Sequence, residues 1–148
     1  QQRAVCELIM ESVSLEYGDV PWSLVFQSRS GPPTQAWLEP DINDAINELP
    51  DSVSGLVVSA IGFVSDHMEV LWDLDNEALE TATERGLPMV RVPTVGVDPA
   101  FVSGLVDLVE ERTAGHERPA LTEFGPWQDV CPAYCCLGHV PKATIASC

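Results

Sequence analysis

Glu69, Asp73 and Glu77 recur at intervals of four, with His67 two residues ahead of the first. On an α-helix a step of four advances about 400°, so the three share one face and drift only about 40° per step. Like charges at this spacing repel by a few tenths of a kcal/mol per pair. A wider, π-type turn aligns them better, and such turns are frequent at functional sites. The arrangement makes sense if cations occupy the row, because carboxylate oxygens are hard ligands for hydrated divalent metals. His67 adds a nitrogen donor and a proton acceptor near neutral pH. Asp66, three residues before Glu69, extends the row at its N-terminal end. The same spacing also describes the solvated face of a surface helix, and a lone His at a helix start is compatible with a structural role. Residue types alone leave both readings open.

A second group is the thiols. Of five cysteines, four (Cys131, Cys135, Cys136 and Cys148) fall in the last 18 residues, three of them in Cys131-Pro132-Ala133-Tyr134-Cys135-Cys136. Clustered cysteines in an intracellular chain signal a metal or redox site more often than disulfides. Cys6 lies on the apolar side of a helix and reads as a small buried hydrophobe.

These groups must be positioned by regular elements. Residues 2–17 read as an amphipathic helix, with Val5, Leu8, Ile9 and Val13 at helical spacing and Gly18 as the stop. Residues 23–27 read as a short strand running into a Gly/Pro-rich loop, and Asp41 caps a helix through about Leu49. The apolar run 55–63 suits a strand buried on both faces. Ser65 or Asp66 caps the next helix, which runs to about Arg85 before Gly86. Residues 89–95 form a third strand, and 99–113 a last helix with Phe101, Leu105, Leu108 and Val109 facing inward. Strand and helix alternate, which predicts an α/β fold: an open parallel sheet with helices on both faces. Ligands in such sheets sit beyond the carboxyl ends of the strands, where the unusual residues lie. Residues 1–115 are expected to form the α/β domain and 116–148 an irregular, Cys-rich tail.

Composition narrows the function. The 148 residues suit one compact domain, and 45% hydrophobic with 20% charged residues is globular. With 23 acidic against 7 basic residues and a formal net charge of -16, the surface repels nucleic acid. No apolar run approaches the roughly 18–20 residues of a membrane span, and no targeting signal is evident. A cytoplasmic protein is expected. The chain starts with Gln rather than Met, which suggests a fragment of a longer protein.

The segment Ile61-Gly62-Phe63-Val64-Ser65-Asp66-His67-Met68-Glu69, continuing through Asp73 to Asp75, resembles the signature of the ferrochelatases, in which an apolar strand runs into Ser-Asp-His-x-Glu. Val25-Phe26-Gln27-Ser28-Arg29-Ser30-Gly31-Pro32-Pro33, followed by Trp37-Leu38, is similar to that family's Gln-Ser loop. Both occur in family order and spacing, the likeness covers roughly residues 1–115, and it is closest to the actinobacterial type. It implies a chelatase-like, Rossmann-like α/β half that inserts Fe2+, as substrate metal, into a porphyrin in haem biosynthesis. Coproporphyrin III is favoured over protoporphyrin IX. Glu69 is then metal ligand or proton acceptor, and His67 its active-site neighbour. Asp73 and Glu77 match the acidic row proposed to lead metal inward. Trp37, Ser28 and Arg29 belong to the loop that lines the porphyrin cleft. The family's second histidine, in a His-Ser-x-Pro segment, has no match here, and neither does the domain carrying it. The expectation is half an active site, which folds but does not metallate porphyrin alone.

The resemblance extends to the tail. Some ferrochelatases hold a 2Fe-2S cluster on C-terminal cysteines, which makes Cys131, Cys135, Cys136 and Cys148 cluster candidates, beside a zinc site or free thiols. The rival functions are a non-catalytic α/β ligand-binding module and a cobalt or nickel chelatase relative. The two motifs together disfavour both.

Overall fold

The structure is a computed structural model that describes residues 2–28, 31, 32, 34, 36–123 and 125–133. Arg29, Cys135, Cys136 and Cys148 lie outside the described residues. Helix α1 spans Gln2–Tyr17 and ends at Gly18, whose φ of 79° is left-handed and whose N–H returns to the Ser14 carbonyl at 3.1 Å. This is the glycine stop that the sequence predicts. Helix α2, Ile42–Glu48, is capped by Asp41, whose carboxylate accepts from the Asn43 N–H at 2.8 Å. Strand β1 is Leu56–Ser59 and strand β2 is Met89–Val92. Between them runs one continuous helical rod: α3 (Met68–Trp72), a π segment (Asp73–Ala78) and α4 (Leu79–Glu84). Helix α5 is Pro99–Thr113, and Asp98 caps it by accepting from the Ala100 N–H at 2.8 Å.

β1 and β2 pair in parallel with Leu56 opposite Met89 and Ser59 opposite Val92. A parallel pair needs a long crossover, and the helical rod supplies it. The core forms where that rod meets the sheet and α2. Val70, Leu74, Ala78 and Ala82 are buried at intervals of four, against Ile42 and Ile46 of α2 and the half-buried Leu56, Val58 and Met89. Arg85 closes the end of α2 by donating to the carbonyls of Ile46 at 2.9 Å, Asn47 at 2.5 Å and Leu49 at 2.8 Å.

Three expectations are corrected. Residues 23–27 are not a strand: Phe26 makes one parallel bridge to Asp41, donating to the Pro40 carbonyl at 2.9 Å and accepting from Ile42 N–H at 2.8 Å. The run 55–63 is a four-residue strand followed by a turn, and it is buried on one face, not two. Val57 and Val90, which point away from the rod, are 77% and 63% exposed. Among the described residues, helices therefore cover one face of the two-stranded sheet, because a face is buried only where an element is stacked on it. On α5, Leu105, Leu108 and Val109 are exposed and no residue is buried.

The chain divides into two compact units, residues 1–105 and 106–148. In the second, Arg112 and Arg118 both reach Asp129 (2.6 and 2.8 Å), and Arg118 also donates to the Trp127 carbonyl at 2.7 Å. These bonds fold residues 127–129 back onto the end of α5. No helix among the described residues is long and apolar enough to cross a membrane.

Candidate functional site

The helical rod carries two stripes side by side. The buried stripe is Val70, Leu74, Ala78 and Ala82; each acid of the row Glu69, Asp73 and Glu77 precedes one of these by a single residue. The acids therefore ride on the rim of the packed face. A wide, π-type turn, the kind that aligns such a row better, falls on Asp73–Ala78, the interval joining the last two acids. Asn76 steadies the change of step by donating its side-chain amide to the Leu71 carbonyl at 3.1 Å.

Facing this stretch is the loop after residue 27. Ser28 has φ 60°, a left-handed conformation uncommon for a residue with a side chain. There its hydroxyl donates to Asp73 Oδ2. The Gln27 amide donates to Ser28 Oγ at 3.3 Å, and the Trp37 indole N–H donates to the Gln27 carbonyl at 3.4 Å. Ser28 and Trp37, both singled out by the loop motif, are thus linked to the central acid of the row through adjacent residues. A cavity of about 310 Å³ lies between the two elements, with Gln27, Ser28 and Asp41 on one side and Trp72, Asp73 and Glu77 on the other.

His67 and Glu69 sit one turn earlier, at the start of α3, and both are exposed. His67 is itself the N-cap residue, without a side-chain capping bond. Its ring meets Phe63 edge to face, with centroids 4.8 Å apart. Neither Ser65 nor Asp66 caps this helix, and Asp66 does not extend the acid row. It turns toward the end of β2, accepting from Arg91 Nη1 at 2.9 Å and from the Thr94 N–H at 3.2 Å. The Thr94 bond first, and Arg91 after it, hold the Asp66 carboxyl below its ordinary value. Asp75 is likewise taken by Arg91, through Nε at 2.5 Å and Nη2 at 2.9 Å. Sequence reasoning missed this network. The signal was an Arg at an inward position of the strand Met89-Val90-Arg91-Val92, where a charge needs partners.

Among the described residues, Glu69, Asp73 and Glu77 have no cation within ion-pair distance, and no three His, Cys, Asp or Glu side chains close on one point as a ligand set. Asp73 and Glu77 line the cavity as single carboxylates, and Glu69 lies outside its lining. Cys131 is exposed and, among the described residues, unpaired; the cysteines expected to join it, Cys135, Cys136 and Cys148, lie outside the described residues.

Known proteins similar to this chain show its family. The family profile for ferrochelatase matches residues 1–113. A coproporphyrin III ferrochelatase from Leifsonia xyli is 54% identical over 95% of this chain and 38% of its own length. A ferrochelatase from Rhodopirellula baltica is 52% identical over 96% of the chain and 40% of its own length. A coproporphyrin III ferrochelatase from Tropheryma whipplei is 52% identical over 92% of the chain and 36% of its own length. The chain thus spans about two fifths of the length of the curated relatives it matches. With the motif-bearing rod, the loop and the parallel pair inside the matched span, the chain belongs to the ferrochelatase family.

Proposed function

We propose that this chain forms the glutamate-bearing wall of a porphyrin metallation site, where Fe2+ replaces the two pyrrole N–H protons of coproporphyrin III. The observation that carries this reading is the bond from Ser28 to Asp73, which joins the loop bearing Trp37 to the acid row around one cavity. Six waters at about 30 Å³ each fit that volume, so a hydrated divalent ion is accommodated there with its shell. Glu77 and Asp73 receive the ion, and their separate, monodentate presentation lets it move on. Glu69 then serves as ligand and as acceptor of a departing pyrrole proton, with His67 as its neighbour. Trp37, Ser28 and Arg29 present the porphyrin. The two protons leave as the metal enters, so charge and atoms balance without a redox step.

The remaining three fifths of the relatives' length supply, in this reading, the opposite cleft wall, further strands and the cover of the open sheet face. The 148-residue chain alone then binds porphyrin weakly and does not metallate it. In the full-length protein, Glu69→Gln should lower the iron-insertion rate by about 10²–10⁴-fold while porphyrin fluorescence quenching persists. Unchanged insertion by that variant sinks the assignment of Glu69.

Cys131 with Cys135, Cys136 and Cys148 offers the four thiolates that suit a 2Fe-2S cluster, and the exposure of Cys131 leaves its sulfur accessible to one. A bound cluster supplies one-electron redox chemistry and a covalent clamp on the tail. Protein purified without oxygen should show the visible bands of such a cluster, and a colourless, iron-free, stable protein would refute it.

A further inference from the structure

Arg91 comes from the middle of β2, and its side chain bonds to three other residues. Its guanidinium is 11% exposed and spends its forked donors on two different segments. Nε and Nη2 grip both oxygens of Asp75 at 2.5 and 2.9 Å, and Nη1 reaches Asp66 Oδ1 at 2.9 Å and the Val92 carbonyl at 3.3 Å. Asp75 lies inside the π segment, between Asp73 and Glu77; Asp66 lies in the turn that carries His67 and Glu69. A second lacing holds the same turn to the loop after β2: the Thr94 N–H donates to Asp66 and the Gly96 N–H to the Val64 carbonyl at 2.9 Å. Arg91 also sorts the charges. Of the five acids between residues 66 and 77 it pairs with two, and the three it leaves, among the described residues without a cation, are the row itself.

We propose that Arg91 is a positioning residue for iron delivery: it fixes the turn bearing His67 and Glu69 against the π segment bearing Asp73 and Glu77, and keeps both of its carboxylate partners out of the cation path. This rests on the proposed function above and adds a residue that touches neither iron nor porphyrin. The fork is essential, because a lysine ammonium is a single point charge that does not grip one carboxylate with two parallel bonds while holding another. The direction of the Arg91 pKa, raised chiefly by its bond to Asp75, agrees with a guanidinium held in a demanding ionic site.

The test uses the full-length protein. Iron insertion by the wild type and its loss in Glu69→Gln establish the reading on which the proposal rests. Given that, Arg91→Met should raise the KM for Fe2+ by about tenfold or more while the KM for porphyrin changes by less than about twofold. Arg91→Lys should fold and melt close to the wild type yet keep a raised iron KM. The triple variant Arg91→Met, Asp66→Asn, Asp75→Asn removes the orphaned charges, and should recover stability without recovering the iron KM. A wild-type iron KM in either the Lys variant or the triple variant overturns the proposal, as does an equal rise in both KM values. If Arg91→Met does not fold, those two variants decide.

Discussion

Leu74→Ala tests whether the buried stripe sets the geometry of the acid row. Leu74 is 1% exposed and lies between Val70 and Ala78 on the rod, packed toward Ile42 and Ile46. Truncation removes three carbons, about 2.4 kcal/mol of transfer free energy at about 0.8 kcal/mol per methylene. The neighbours along the stripe, Ala78 and Ala82, are too short to fill the space. An unrelaxed void of roughly 80 Å³ at about 24 cal/mol per Å³ adds up to about 2 kcal/mol. The expected loss is about 3–4 kcal/mol, a large share of the roughly 5–15 kcal/mol available to a domain. For a unit of this size each kcal/mol shifts the melting temperature by roughly 4–8 °C, so a fall of at least about 12 °C is expected in circular dichroism melts. Glu77→Ala, on the exposed stripe three residues further on, should shift it by less than about 2 °C. A fall under about 4 °C for Leu74→Ala, or equal falls for the two variants, refutes the division into a buried and an exposed stripe.

Ser28→Ala removes the donor to Asp73 and should raise the iron KM of the full-length protein several-fold; steady-state kinetics at varied Fe2+ decide, and an unaltered iron KM would contradict the link. The Asp66 carboxyl sits below its ordinary value of 3.8, so its ionised form is favoured by folding. Its contribution is complete above about pH 5, where the unfolded chain is also ionised, and disappears as pH falls through the lower folded-state value. Asp66→Asn should therefore lower the melting temperature at neutral pH, with the difference closing as pH falls through the lowered folded-state value. A difference that persists in acid points away from the Arg91 and Thr94 contacts as its source.

Much of the rod and its neighbours was legible because the signals are local. The bounds of α1 and α5 follow from apolar spacing, with Gly18 as the stop of α1, and Asp41 announces α2. A wide turn was recognised only as one that would align acids at intervals of four, and its place on Asp73–Ala78 comes from the structure. The pairing of strands was less legible. Whether residues 23–27 make a ladder or a single bridge, and whether Val57 and Val90 are covered, depends on elements distant in the chain that periodicity does not report. The same applies to Asp66. Its spacing from Glu69 assigned it to the row, but the helix begins only after it, at Met68, so helical phase did not govern its direction. Arg91 was overlooked because its two partners lie 16 and 25 residues away.

The position of the π segment follows from the core as much as from the acids. In an unbroken α-helix, three steps of four would carry Ala82 about 120° around from Val70, out of any single packed face. A π turn holds about 4.4 residues, so the step across it regresses by about 33° and cancels most of one α step. The buried stripe then ends only about 47° from where it began, and all four residues are buried. The same cancellation operates one residue earlier: Glu69 to Asp73 advances about 40°, Asp73 to Glu77 regresses about 33°, and the outer acids return to nearly the same azimuth. Burial of Val70, Leu74, Ala78 and Ala82 thus imposes the widened turn, and hydrophobic packing sustains an alignment of charges that repulsion alone would resist.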